Sequence, residues 1–461
     1  MLIKNKHFTN INLINLLIAL IPFSLILGNL AVNINIILIC LSGIIIYKFE
    51  IFEINDKIYQ YLIYSFFLYL ILITLITNIS SIINFEPRIA GRYFNITKEL
   101  YLENIAKSFL FLRFLILFLV VNKLIEKNSF NLKLFYISCS FFVFVISVDI
   151  VIQAYLGKNL FGYPILFNRP TSFFGDEFVA GGYIQKFSLF FIFLFVTLSE
   201  KKKGNLFFLL LSVAFLFPII LTVNRMPLML YVLSIFIILI SRKQLKSTLI
   251  FLLIFLLIFF SVLKFYPKTR MGMNLKKFTT STTKIFNAVI NFRELPKQIA
   301  VLKTLSLPEE KVNIKGLDRA GYILHFSSAL QIWETNKIFG YGIKSFKFKC
   351  TYEVGQTCAS HPHNYYLELL LDTGVVGLGL IFLLFVYSVF NFFNFYRYSS
   401  SKNLKFFATP FFILIILEFF PIRSTGSFFS TSNAIIIFFM LAVVVGTSNH
   451  KKSYKNNFII S

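Results

Sequence analysis

The chain has 461 residues, 57% of them apolar and only 14% charged, with a net charge of +25. Soluble domains average about 45–50% apolar and about 25% charged residues, so the composition excludes an ordinary soluble enzyme, a disordered chain and a disulfide scaffold. The apolar residues fall in long blocks, which reads as an all-α polytopic membrane protein whose cations belong to its cytoplasmic loops rather than to a nucleic-acid surface.

Apolar runs of roughly 15–25 residues can cross a bilayer as helices, and about twelve are present. They cover 11–30, 34–47, 59–77, 108–121, 134–155, 184–199, 205–223, 226–240, 247–264, 364–392, 406–421 and 428–445. The second is short, and Pro218 and Pro227 interrupt the pair around Arg225. The first leads straight into the second without a small-residue exit site, so no cleavable signal is expected. With the N-terminus inside, the short cytoplasmic loops carry Lys4 and Lys6, Lys48 and Lys57, Lys123 and Lys127, and Lys201, Lys202 and Lys203. Arg242, Lys243 and Lys246, then Arg397, Lys402 and Lys405, then Lys451, Lys452 and Lys455 continue the series. The positive-inside rule therefore predicts two cytoplasmic termini. Residues 1–264 would hold nine spans, 265–363 a large, partly helical outer loop, 364–448 three more spans and 449–461 a cytoplasmic tail. Such a loop, about a hundred residues long, translocates largely regardless of its charge, and its length marks it as functional.

Ionisable residues inside spans are costly and point to function. Arg113, Asp149, Lys186, Arg225, Glu368, Asp372 and Glu418 all fall in the outer halves of their spans, which suggests a polar cavity open to the outer side.

Four motifs lie on that side. Arg169-Pro-Thr-Ser-Phe-Phe-Gly-Asp-Glu makes a turn whose rim carries Asp176 and Glu177; these acids could equally serve the start of the next helix. Asn224-Arg225-Met226-Pro227 sets Arg225 at a helix N-terminus, where anions are favoured. From Asp318-Arg319 to Trp333-Glu334, Tyr322, Ile323, Phe326, Leu330 and Trp333 recur at helical spacing, as in a helix lying on the membrane surface. His325 on that helix reads as a packing or surface residue. The fourth, His361-Pro-His-Asn, opens the tenth span; His363 is a candidate general base, with His361 and Asn364 beside it. The alternative role for His363 is helix capping. Cys350 and Cys358 stand just ahead of it and would form a disulfide in an oxidising compartment. A zinc set of Cys350, Cys358, His361 and His363 is the other reading, with a run too tight for the last three without strain.

These motifs, with the span order, resemble the O-antigen ligase/O-antigen polymerase family of bacterial inner-membrane glycosyltransferases. Arg169 with Phe174-Gly175, Arg225, Arg319 followed by Gly340-Tyr-Gly342, and His363-Asn364 followed by Gly374 and Gly377 carry the resemblance. It implies a multi-pass protein of the inner membrane with its active site facing the periplasm. The implied donor is a glycan on undecaprenyl pyrophosphate, and the acceptor a sugar hydroxyl of the lipid A core, with no metal and no cofactor. His363, Arg225 and Arg319 would be catalytic, and Arg169, Asn364, Asp176, Glu177 and His361 would bind substrate. Membrane lipid is the other partner, and no nucleic acid is expected. A polymerase whose acceptor is another glycan, a protein O-oligosaccharyltransferase of the same fold, and a lipid-linked glycan transporter are the alternatives.

Overall fold

The computed structural model describes residues 2–85, 88–89, 95–167, 169–198, 204–265, 321–350, 359–421, 423 and 426–448. The chain is an all-α polytopic membrane protein. Its first helices are α1 (Leu2–Ala19), α2 (Ile21–Leu27), α3 (Asn29–Tyr47), α4 (Lys57–Ile83) and α5 (Lys98–Glu126). Next come α6 (Leu132–Leu156), α7 (Ala180–Leu198), α8 (Gly204–Leu221), α9 (Arg225–Ser241) and α10 (Leu245–Phe265). The last are α11 (Gly321–Glu334), the single turn α12 (Phe346–Lys349), α13 (Tyr365–Tyr398), α14 (Lys402–Glu418) and α15 (Thr431–Ser448). A two-residue antiparallel ladder, Arg88–Ile89 with Asn95–Ile96, joins α4 to α5.

Among the described residues nine helices are long and apolar enough to cross a membrane, ten if α1 and α2 count as one bent span. The difference from the expected number lies in α9 and α14, each 17 residues long. At 1.5 Å per residue such a helix covers about 25 Å, short of the roughly 30 Å hydrocarbon core. The run at 11–30 is broken by a 48° bend. Pro22 in the first turn of α2 has no N–H to continue the ladder, and Gly28 at φ +96° ends that helix. Elsewhere polar side chains set the helix starts: Asp56, Asn131 and Ser401 accept from the backbone N–H of Tyr59, Leu134 and Leu404 at 3.1, 3.0 and 3.3 Å.

The core sits on α15, buried without interruption from Ala434 to Thr447 and packed against α3, α5, α13 and α14. A helix apolar all round belongs in such an interior position. By contrast, α10 leaves Leu249, Leu253, Leu257 and Phe260 exposed, the pattern of a lipid-facing helix.

One end of the bundle holds the N-termini of α5, α7, α9, α13 and α15, and the segment 335–345 is bolted to it. There α13 breaks at Gly374, whose φ is +64°. The break frees backbone groups that 337–342 satisfies: Val375 and Val376 donate to the carbonyls of Lys337 and Ile338 at 3.0 and 3.3 Å. Tyr341 and Gly342 donate to those of Leu371 and Asp372 at 3.1 and 2.7 Å. A Cβ on Gly374 would stand 2.1 Å from the Ile338 oxygen, and one on Gly340 2.5 Å from the Gly374 nitrogen. Gly374→Ala is therefore expected to lower the thermal midpoint of the purified protein by the equivalent of at least about 1–3 kcal/mol. An unchanged midpoint would show that this contact is not needed.

Candidate functional site at the start of α13

Asn364 fixes the site. Its side-chain oxygen accepts from the N–H of Tyr366 and Leu367 at 3.0 and 3.1 Å, capping α13. Its amide donates to the carbonyls of Pro421 and Arg423 at 3.1 and 3.2 Å, tying the α14–α15 loop to the same point. Asn364 is thus the cap, and His363 stands just outside the helix. The backbone of His363 is left-handed, with φ +58°, a conformation few non-glycine residues adopt.

Three imidazoles meet here. The ring centroid of His363 is 4.3 Å from that of His361 and 5.5 Å from that of His325 on α11. His361 Nδ1 is 2.9 Å from the Ser360 hydroxyl, while its Nε2 is buried with no hydrogen-bond partner among the described residues. Burial pushes all three pKa values down, and the positive forms of His363, Lys344 and His325 help to depress His361 to about 4. The cluster is therefore neutral near pH 7, as a group that accepts a proton must be. Because the folded protein resists protonation that the unfolded chain accepts near 6.5, stability falls as pH drops from about 6.5 toward about 4. Thermal midpoints measured across that window should decline, and His361→Gln should flatten the decline; parallel curves would remove His361 as the cause.

The carboxylates of α13 have a different task from lining the open polar cavity suggested by their place in the outer half of the span. Glu368 accepts from the Ser427 hydroxyl at 2.5 Å and the Phe428 N–H at 2.6 Å. Asp372 accepts from the N–H of Lys344 and Ser345 at 2.7 and 3.0 Å, and from the Ser345 hydroxyl at 2.6 Å. Each anchors one loop to α13, Glu368 the α14–α15 loop and Asp372 the 340–345 segment. Below His363, Glu418 pairs with Lys186 of α7 at 3.2 Å and with Arg423, and accepts from the Tyr365 hydroxyl at 3.2 Å. The Arg423 guanidinium also lies over the Tyr365 ring, 4.9 Å from its centroid. This buried network locks α7, α13 and α14 together.

The loop that carries Arg169 is held on α6 and against the start of α7. Asp149 of α6 accepts from the Leu160 N–H at 2.8 Å and the Ser172 hydroxyl at 2.6 Å. Gln153 takes the N–H of Thr171 and Ser172 at 2.9 and 2.8 Å. The loop so held places the Arg169 guanidinium 5.1 Å from the centroid of the Phe178 ring. Asp176 and Glu177 are exposed at its rim, ahead of α7 rather than within its first turn. The Asn224 amide donates to the Phe178 carbonyl at 3.0 Å, which brings Arg225, the half-buried first residue of α9, to the same loop. A Cβ on Gly181 would meet the Thr222 hydroxyl at 2.5 Å, so only glycine permits this approach of α7 to the α8–α9 turn. The start of α9, with Arg225, is thus tied to the loop that carries Arg169, and α7, which follows that loop, is linked through Lys186 and Glu418 to Tyr365.

Arg319 and Cys358 lie outside the described residues. Cys350 is buried and disulfide-bonded, which removes a thiolate from the alternative zinc set, while Cys40 and Cys139 are free. Among the described residues no group of three His, Cys, Asp or Glu side chains is placed to hold a metal ion. Sequence reasoning missed Arg423, Lys344 and the role of His325. The signal for Arg423 was Glu418, a carboxylate inside a span that needs a counter-charge.

No curated protein matches the chain. Residues 206–382 match the family model described as O-antigen ligase. The matched segment runs from α8 to the middle of α13 and contains Arg225, His325, Lys344, His361, His363, the Asp372 anchor and the Gly374 break. Through that segment the chain is similar to the O-antigen ligase family.

Proposed function

We propose that the protein transfers a polysaccharide from undecaprenyl pyrophosphate to a sugar hydroxyl of the lipid A core, at the periplasmic face of the bacterial inner membrane. The observation that carries this reading is the neutral, half-buried histidine cluster at the mouth of α13, inside the segment matching the O-antigen ligase model. In the proposed step the acceptor hydroxyl attacks the anomeric carbon of the donor, and His363 takes its proton. The new glycosidic C–O bond forms as the bond to the pyrophosphate oxygen breaks, and the electron pair leaves with the pyrophosphate. Arg225 and Arg319 face the growing negative charge, since a planar guanidinium offers paired donors to phosphate oxygens. No metal has a part in this scheme. Arg169, with Asp176, Glu177 and His361, would line the approach of the substrates, and a Cys350–Cys358 bridge would hold the chain ahead of His361. Both termini are cytoplasmic in this scheme, with 265–363 in the periplasm.

Deletion of the gene followed by analysis of lipopolysaccharide tests the assignment. The expected result is lipid A core without polysaccharide. A single repeat unit left on the core would instead assign a polymerase. Normal lipopolysaccharide with unglycosylated proteins would assign a protein O-oligosaccharyltransferase. Glycan transfer by membrane extracts of the deletion strain would leave a transporter.

A further inference from the structure

Lys344 stands beside the histidine cluster on a segment built with unusual rigidity. Its backbone is left-handed, at φ +55°. The segment is fastened on one side by Asp372, which accepts the N–H of Lys344 and Ser345 at 2.7 and 3.0 Å. On the other side, Thr77 donates to the Tyr341 carbonyl at 2.8 Å, and the Ile343 N–H donates to Thr74 at 3.0 Å. Gly342 lies so close that a Cβ there would be 2.8 Å from the Thr74 Cα. Backbone strain held this firmly is a mark of sites where a side chain must be presented in one place.

Lys344 stands among charged side chains of both signs. Its ammonium lies within electrostatic reach of Lys107 and Arg113 on α5 and of His361. Glu368 and Asp372 are the acids that face it, and both are already engaged, Glu368 by Ser427 and Phe428 and Asp372 by the backbone of the segment itself. Two residues on, Phe346 meets the His325 ring at 6.4 Å, which places the segment against the same cluster. There the buried Nε2 of His361 has no hydrogen-bond partner among the described residues. The 2.9 Å Ser360–Nδ1 contact allows either tautomer, and in the one with Ser360 as donor the ring proton is on Nε2, so that His361 offers a donor. A half-buried ammonium, two further cations on α5 and an unsatisfied imidazole nitrogen make a site for an oxyanion.

We propose that Lys344 and His361 form a phosphate-binding subsite that receives the pyrophosphate of the lipid-linked donor, an inference that rests on the glycan-transfer reading above. Depth selects the donor over a phosphorylated acceptor. Arg113 bonds the hydroxyl of Thr431, the first residue of α15, at 3.3 Å, so the basic group lies level with the start of a membrane-spanning helix. That is the headgroup level, where a lipid-anchored pyrophosphate sits.

The test is binding of undecaprenyl pyrophosphate to the full-length protein in nanodiscs of zwitterionic lipid. Lys344→Asn removes the charge and suits a left-handed backbone. It is expected to weaken binding at least about tenfold, the scale of a lost charge-assisted hydrogen bond. Lys344→Arg should stay within about threefold of the unaltered protein, because it keeps the charge. Lys344→Gln serves as a second neutral variant should Lys344→Asn not fold. Full-strength binding by the neutral variants overturns the subsite and leaves the transferase reading standing. An unaltered protein that does not bind undecaprenyl pyrophosphate overturns the transferase reading itself. If Lys344→Asn abolishes binding of phosphatidylglycerol to the same degree, the site is for membrane headgroups and the inference fails.

Discussion

Replacing His363 is expected to reduce glycan transfer by about 10²–10⁴ while the bundle remains folded, the usual range for loss of a general base. The cap of α13 is made by Asn364, and the loop anchors belong to Glu368 and Asp372. Removing the imidazole should therefore cost chemistry rather than structure. The informative substitution is His363→Asn. Asparagine tolerates the φ of +58° found here and can hydrogen-bond, but it cannot take a proton near pH 7. Initial rates with purified protein, alongside thermal midpoints, separate the two roles. His361→Ala should keep a substantial part of the rate at saturating donor, its loss falling on donor binding. A His363→Asn rate close to that of the unaltered protein would mean that the base lies elsewhere. Glu368 is engaged by Ser427 and Phe428, so exposed Asp176 and Glu177 would then be examined first.

The second large effect is expected at the arginines. Arg225→Lys should slow transfer by about 10²–10³, corresponding to the roughly 2.7–4 kcal/mol lost with one oriented transition-state contact. Lysine keeps the charge but not the planar pair of donors that matches phosphate oxygens. The position favours anions for a further reason: Arg225 begins α9, and the free N–H groups of a helix start add to its positive field. Arg319→Lys is expected to behave alike. Single-turnover rates would show the loss in the chemical step. Near-normal rates in both variants would reduce these residues to interface anchors.

Much of the architecture could be read directly. The unbroken apolar run near the C-terminus became α15, the most enclosed helix, because nothing on its surface could face water or charge. Asn364 followed by a long apolar run gave the start of α13. What escaped the reading depends on partners distant in the chain. Lys186 read as part of a polar cavity open to the outer side, yet it is paired with Glu418, and neither spacing nor periodicity announces a bond between α7 and α14. His325 looked like a packing residue because its helix is amphipathic; its meeting with His363 is produced by the fold-back of 335–345 onto the broken α13. Glu368 and Asp372 stand one helical turn apart on α13, but the loops they hold were invisible to helical spacing. The span at 34–47 lengthened to start at Asn29, since the polar Asn29 and Asn33 sit near a helix end where they are tolerated.

The central claim is that this chain itself joins a lipid-linked glycan to an acceptor sugar through His363. The most direct measurement reconstitutes the purified protein with glycan-bearing undecaprenyl pyrophosphate and lipid A core in liposomes and follows the mass of the core. The account predicts a core that gains the glycan with the unaltered protein and does not with His363→Asn; an unmodified core with the active-site residues intact, or equal gain with both proteins, would contradict it.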